Sequence, residues 1–106
     1  MNDLKKSEIC AKALVDSLIP YLPPSSDDVK DDYDAGEYIA AARGAIHDLG
    51  ILRADVTKQL LQEIEMLLTH IETEGDEYNL KYMASMKIGF NQLKDRWVLV
   101  NDNQSA

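Results

Sequence analysis

Apolar residues in this chain recur at intervals of three and four positions, the spacing that places them along one side of an α-helix. The widest stripe lies between positions 56 and 71 and comprises Val56, Leu60, Leu61, Ile64, Leu67, Leu68 and Ile71. A half-buried β-strand would instead alternate apolar and polar residues with a period of two, and no stretch of the sequence does so. The spacing therefore predicts an all-α fold.

The same spacing divides the chain into four predicted helices. The first covers about 3–19 and ends at Pro20, because proline disrupts a helix interior. The second begins at Asp34, which together with Glu37 has the form of a capping box, and it ends before Gly50, a residue suited to the left-handed position after a helix. Small residues in this helix predict that a neighbouring helix approaches it closely; they are Ala40, Ala41, Gly44 and Ala45.

The third predicted helix is capped by Asp55 and runs to about Thr73; Gly75 closes it, and Asp76 opens the fourth. Apolar residues of the fourth helix also follow intervals of three and four, which predicts their burial; they are Met83, Met86, Phe90, Leu93 and Trp97. Because the turn at Gly75 and Asp76 is short, the sequence predicts an antiparallel hairpin of the third and fourth helices. The alternative is one continuous helix through Gly75. With 106 residues, the chain is predicted to be a single-domain bundle of four helices.

Two segments are predicted to lie outside the helices. Residues 20–34 contain three prolines, two serines and part of an acidic run, a composition that breaks a helix and is typical of a surface connection. The polar tail over 101–106 is predicted to fray.

The charge of the chain limits the partners it can bind. There are 19 acidic and 11 basic residues, a net charge of −8. This charge repels phosphate backbones and anionic lipids and attracts cationic surfaces. We therefore expect no direct binding to nucleic acid or membrane, and a cationic protein as the partner. Cys10 is the single cysteine, and no signal sequence or membrane span is visible, so we expect a cytoplasmic protein.

The acidic residues are concentrated in two runs. Segment 27–37 has six carboxylates against Lys30, and segment 63–77 has six carboxylates and no Lys or Arg. Tyrosines are interleaved with both runs, and aromatic anchors among charged groups are typical of protein interfaces. The predicted partner-binding residues are Asp31, Asp32, Tyr33, Asp34, Glu37, Tyr38, Glu72, Glu74, Asp76, Glu77 and Tyr78. Two alternatives stay open: the runs only solubilise the chain, or they face the basic segment 78–100 within the fold.

No arrangement of residues in the sequence is typical of a metal site or an active site. The acidic runs lack the ligand spacing of a calcium loop, and neither His47 nor His70 follows a glutamate by three positions, as a helical di-metal site requires. Cys10 has no flanking histidine signature that would make it a nucleophile. We therefore expect no catalytic residues, no metal and no cofactor, and a protein that is not an enzyme.

The segment AGEYIAAARGAIHDL, residues 35–49, resembles the Gly-Glu-Tyr helix entry of some helical immunity proteins of bacteria. In size, acidity and helical pattern the whole chain is similar to the immunity proteins that neutralise nuclease toxins of the colicin and contact-dependent-inhibition types. The resemblance implies a tight complex with a cationic toxin domain. In that complex the chain would cover the substrate site and place negative charge where RNA or DNA would bind.

The sequence allows two other functions. The wide apolar stripe of the third helix would allow a structural, adaptor or secretion-chaperone role in which the chain pairs with its own copy as a homodimer. An enzyme that uses carboxylates is the third possibility, and the residues give it the least support.

Overall fold

The structure is a computed structural model that describes residues 4–105 and the side chains of residues 4–101. Helices make up most of this range and its described part contains no strand, so the predicted all-α fold is confirmed. The helices are α1 Lys6–Leu18, α2 Asp27–Asp34, α3 Tyr38–Leu52, α4 Lys58–Glu74, α5 Glu77–Leu80 and α6 Met83–Ser105, and a 3-10 turn over Ile19–Tyr21 continues α1. The predicted helix start at Asp3 and most side chains of the predicted frayed tail lie outside the described residues.

The first acidic run forms a helix, α2, so the prediction of an irregular connection over 20–34 is wrong for this segment. Val29 and Tyr33, four residues apart, share the inner side of α2: Val29 is 2% exposed, and Tyr33 packs half-buried against the core. Asp27 and Asp28 lie in the first turn, where carboxylates interact favourably with the helix dipole. Two core-facing residues are too few to give a visible stripe among so many charges.

The capping box predicted at Asp34 and Glu37 does not form. Asp34 is the last residue of α2, and Glu37 precedes α3 without a side-chain hydrogen bond to it. Between them, Gly36 has a φ of +80°, a left-handed conformation that glycine adopts at little cost, and it turns the chain from α2 into α3. The prediction fails because Asp34 already belongs to the preceding helix.

Two further helix ends differ from the prediction. α3 continues past Gly50 to Leu52, and the residue after its end, Arg53, has a left-handed φ of +49°. Thr57, rather than Asp55, caps α4 by accepting a hydrogen bond from a backbone N–H three residues later. Asp55 instead forms an ion pair with Arg96 of α6, whose Nε lies 2.7 Å from Oδ1 of Asp55.

The turn after α4 follows the prediction at first and then departs from it. Gly75 ends α4 with a φ of +67°, and Asp76 caps the next helix by accepting a hydrogen bond from the Tyr78 N–H at 2.9 Å. That helix, α5, is only four residues long, and α6 begins separately at Met83. The predicted fourth helix is thus split in two, and with α2 the described chain has six helices rather than four.

The predicted apolar stripes form the core. All seven residues of the widest stripe are buried, as are Met83, Met86 and Leu93 of α6, whereas Phe90 and Trp97 are half-buried against the core. α3 lies at the centre and packs against α1, α2 and α6, while α4 packs against α1 and α6. α6 therefore contacts α3 more extensively than it contacts α4, the neighbour that the predicted hairpin gives it.

α3 and α6 cross where both helices carry a glycine. A Cβ on Gly50 would lie 2.8 Å from the Cα of Gly89, and a Cβ on Gly89 would lie 2.7 Å from the carbonyl oxygen of Ile46. Neither position has room for a methyl group, because the neighbouring atoms are backbone and cannot rotate away. The two helices are therefore in direct backbone contact.

Substitution of Gly89 by alanine is expected to destabilise the protein, although alanine has the higher helix propensity by about 1 kcal/mol. The new methyl group must push α3 and α6 apart, and overpacking of this kind costs about 1–3 kcal/mol. Urea unfolding followed by circular dichroism measures the change. Gly44→Ala is the control and should cost less, because its methyl group would meet only a side-chain atom, Cγ2 of Val29, at 3.1 Å. A Gly89→Ala protein as stable as the wild type would contradict the backbone contact.

Candidate functional site

The first acidic run presents its carboxylates to solvent along one side of α2. Asp27, Asp28, Asp31 and Asp34 are exposed, and Asp32 is half-buried at the edge of that side. Among the side chains that the structure describes, none of these five carboxylates forms an ion pair. Within the described part of the chain, the basic side chains therefore form no ion pair with the carboxylates of α2.

Only part of the charge on α2 stabilises α2, namely Asp27 and Asp28 in its first turn. Asp27 and Asp31, and likewise Asp28 and Asp32, are like charges four residues apart, a spacing that costs a helix about 0.2–0.5 kcal/mol per pair. Asp31 and Asp34 also lie toward the end of α2, where the helix dipole disfavours a carboxylate. These two carboxylates therefore add repulsion to the folded chain without a compensating contact.

The second acidic run is partly used inside the fold. The Glu74 carboxylate accepts hydrogen bonds from the backbone N–H of Ser7, at 3.0 Å, and from its hydroxyl. Asp76 forms an ion pair with Lys5, with 2.6 Å between Nζ and Oδ2. These contacts join the beginning of α1 to the end of α4, so Glu74 and Asp76 have structural roles. Glu72 and Glu77 are exposed and have no ion pair among the described side chains.

The hydrogen bond from Lys5 holds the pKa of Asp76 below its ordinary value, and the backbone N–H of Tyr78 acts in the same direction. The same contact raises the pKa of Lys5. Both groups therefore keep their charges throughout the neutral pH range.

Two of the predicted aromatic anchors pack inside the molecule. The rings of Tyr33 and Tyr38 meet edge to face, with 5.4 Å between their centroids, and both rings are half-buried. The Tyr33 hydroxyl donates a hydrogen bond to Asp16 at 2.7 Å, which raises the pKa of Tyr33. Lys12 lies 5.6 Å from the centre of the Tyr33 ring. Tyr33 thus joins α2 to α1, and much of its surface is already in contact.

The two acidic runs meet at one place in the fold. Glu37 and Tyr38 from the first run and Asp76 and Tyr78 from the second line a common groove, here called the polar groove, with a volume of about 260 Å³. Tyr78 is 56% exposed, and Lys81 lies over its ring with Nζ 3.9 Å from the centroid. The other predicted site residues do not line the polar groove; they are Asp31, Asp32, Tyr33, Asp34, Glu72, Glu74 and Glu77.

Sequence reasoning missed three polar residues of the groove. Tyr82 lies four positions after Tyr78, the spacing of neighbours on a helix, and its hydroxyl donates to the Tyr78 hydroxyl at 3.4 Å. Asn79, the second missed residue, lies in α5 three positions after Asp76, the residue that caps this helix. Glu8 gives no such signal, because only the packing of α1 brings it to the groove.

No group of three or more His, Cys, Asp or Glu side chains among the described residues is arranged to hold a metal ion. No helix in the described part combines the length and the apolar character that crossing a lipid bilayer requires.

Comparison of the chain with protein-family models, with curated proteins and with solved structures finds no match in any of the three. The resemblance to helical immunity proteins therefore stays a prediction. The function has to be inferred from charge, burial and geometry.

The ion pair of Asp76 predicts a specific dependence of stability on pH. Because the folded pKa of Asp76 is lowered, its contribution to stability is present above its unfolded value of about 3.9 and is lost as pH falls through the lower folded value. Asp76→Asn should therefore lower the urea midpoint at pH 7, and the difference from wild type should shrink toward pH 3. Glu72→Gln, which removes an unpaired carboxylate, should change little at either pH. If the urea midpoint of Asp76→Asn lay below that of the wild type by the same amount at pH 7 and pH 3, this role of Asp76 would be contradicted.

Proposed function

We propose that this chain is an immunity-type inhibitor that binds a cationic, nuclease-like toxin and covers its substrate site. The outer side of α2 carries the proposal, because its four exposed aspartates form no ion pair with any described side chain. Asp31 and Asp34 in particular neither form an ion pair with a described cation nor stabilise their helix, and a cation supplied from outside explains them. In this proposal the protein is bacterial and acts in the cytoplasm, where the nucleic acids attacked by such a toxin lie.

The proposed mechanism follows from the charge that a nuclease needs. A nuclease holds phosphate groups with basic residues, so its substrate site is a positively charged surface. An acidic surface is drawn to it, and such steering can raise association rate constants to about 10⁸–10⁹ M⁻¹ s⁻¹ at low salt. Once bound, the aspartates of α2 occupy the basic groups that RNA or DNA needs. Inhibition of this kind needs no catalytic residue, metal or cofactor, and we propose that the chain acts by binding alone.

We also propose that the fold is a four-helix bundle with two short additional helices. In it, α1, α3, α4 and α6 form the bundle, α4 and α6 are its antiparallel hairpin, and α2 and α5 are short additions at the surface. Two contacts support the hairpin by joining the beginning of α4, or the residues just before it, to the later part of α6. They are the ion pair of Asp55 with Arg96 and the approach of Lys58 Nζ to within 6.0 Å of the Trp97 ring centre.

Neutralising two aspartates of α2, by Asp31→Asn together with Asp34→Asn, is expected to slow association with the toxin domain by about tenfold at low ionic strength. The effect should fade as salt screens the charges. Stopped-flow mixing at several salt concentrations measures both quantities. The same double variant should be at least as stable as the wild type, because it removes like-charge repulsion within α2.

A charge-matched pair provides the control. Glu65→Gln together with Asp95→Asn removes the same two charges from exposed positions on α4 and α6 rather than on α2. This pair should slow association less. Equal slowing by the two pairs would mean that total charge matters and that α2 is not the binding surface. No slowing by either pair at any ionic strength would contradict the electrostatic mechanism.

The partner can be identified by co-purification with the tagged chain from the native cell. The expected protein is basic and cleaves nucleic acid, and an equimolar amount of the wild-type chain should stop the cleavage. An acidic partner, or a basic nuclease that the chain binds without inhibiting, would contradict the proposal.

Self-association as a structural or adaptor protein is a second candidate function, favoured by a separate observation. An apolar groove of about 420 Å³ lies between α1 and α4, and Ile9 and Met66 in its lining are each 56% exposed. The apolar stripe that first indicated this function is buried in the core instead. Light scattering on the purified chain distinguishes the candidates, because a stable dimer favours self-association and a monomer favours the inhibitor.

A further inference from the structure

We infer that an apolar groove between α4 and α6 binds an acidic segment of a partner protein and holds one apolar side chain of that segment. The groove, here called the tryptophan groove, has a volume of about 270 Å³. α4 contributes Lys58, Leu61 and Glu65 to its lining, and α6 contributes Phe90, Lys94 and Trp97. The inference goes beyond the proposed function and does not rest on it, because it concerns another surface and a partner of opposite charge.

The only tryptophan and the only phenylalanine of the chain both line this groove. Their helical spacing predicts that Phe90 and Trp97 are buried, yet the structure leaves both of them half-buried. Large aromatic side chains that stay partly open around a concave apolar surface are typical of the positions that dominate the binding energy of an interface. The composition of the tryptophan groove is therefore that of a docking site for an apolar side chain.

The volume of the groove limits what it can hold. Pockets that take up a complete small-molecule ligand measure about 300–1,000 Å³. The tryptophan groove, at about 270 Å³, lies below this range. It fits one aliphatic or aromatic side chain of a protein segment better than a whole cofactor or substrate.

Two lysines give the groove a positive charge beside Trp97. Lys58 Nζ lies 6.0 Å from the centre of the Trp97 ring, and Lys94 precedes Trp97 by three positions, about one turn of α6. Both lysines are exposed, and neither forms an ion pair with a described side chain, although the chain has 19 acidic residues against 11 basic.

The carboxylate in the lining, Glu65, does not cancel this charge. It follows Lys58 by seven positions, which places it two turns or about 10 Å further along α4. Charge complementarity at the Trp97 end therefore selects a segment that carries carboxylates beside its apolar side chain. The same charge disfavours the cationic partner that is proposed for α2.

The full-length chain can be tested with a defined probe, the peptide N-acetyl-Glu-Leu-Glu-Phe-Glu-amide. Because Trp97 is the only tryptophan, its fluorescence reports on this groove alone. The expected result is a saturable blue shift, since the bound peptide excludes water from the indole. The peptide with glutamine in place of each glutamate should bind about tenfold more weakly, the scale of two exposed ion pairs. The absence of a saturable shift, or equal binding of the two peptides, would overturn the inference.

Matched lysine variants locate the site. Lys58→Gln and Lys94→Gln should each weaken binding of the glutamate peptide by about threefold, the scale of one exposed ion pair, and should leave binding of the glutamine peptide unchanged. Lys87→Gln is the control, because it makes the same change at an exposed position of α6 outside the groove. All three positions are exposed, so folding is not at risk. Equal weakening by the three variants would mean that only total charge matters, and the inference would be wrong.

A second copy of the chain is the competing occupant of the groove. We expect the emission of Trp97 without peptide to be independent of protein concentration. A blue shift that grows with concentration, together with a dimer in light scattering, would show that the chain covers its own groove and would refute the acidic partner.

Failure of this inference is distinguishable from failure of the proposed function, because α2 packs against α3 whereas the tryptophan groove lies between α4 and α6. If the chain inhibits a basic nuclease while the glutamate peptide leaves Trp97 unchanged, the proposed function stands and the acidic partner is wrong. If the peptide binds beside Lys58 and Lys94 but the chain inhibits no nuclease, the groove stands and the inhibitor proposal is wrong.

Discussion

The backbone contact between α3 and α6 constrains the rest of this molecule. At Gly50 and Gly89 the two helices are too close for any side chain to lie between them. α3 is therefore held against α6 on one side, and its alanines leave room for α1 and α2 on the others. The exposed carboxylates of α2 therefore lie on the side of α2 that faces away from α3. The position of α2, and the groove at the start of α3, both follow from this arrangement.

The two acidic runs look equivalent in the sequence, but the fold gives them different roles. In the second run, Glu74 and Asp76 bond to Ser7 and Lys5, so they fasten α1 to the turn after α4. In the first run, Val29 attaches α2 to the core while its carboxylates stay outside and unpaired among the described side chains. Charge density alone therefore does not identify a binding surface. The number of contacts that each carboxylate makes within its own chain separates structural charge from charge that is free to act on a partner.

The sequence was sufficient for features that depend on local periodicity and insufficient for those that depend on packing. The stripe that ends at Ile71 and the left-handed Gly75 were predicted correctly, because spacing and backbone preference act over a few residues. α2 was missed because a helix that buries only Val29 and half of Tyr33 has no visible stripe. For the candidate site, the sequence indicated Glu37 and Asp76 but not that they share a groove. Glu8 reaches that groove only through the packing of α1, which no local pattern records.

Within the proposed function, the outer side of α2 acts in the encounter with the partner, and the polar groove lies next to it. Long-range attraction depends on the sum of charges and needs no exact geometry, so exposed aspartates such as Asp31 suit the encounter. Gly36 turns the chain from the end of α2 directly to Glu37, so the two surfaces are joined by a single tight turn. A partner steered to α2 would therefore meet the residues around Glu37 without a further search.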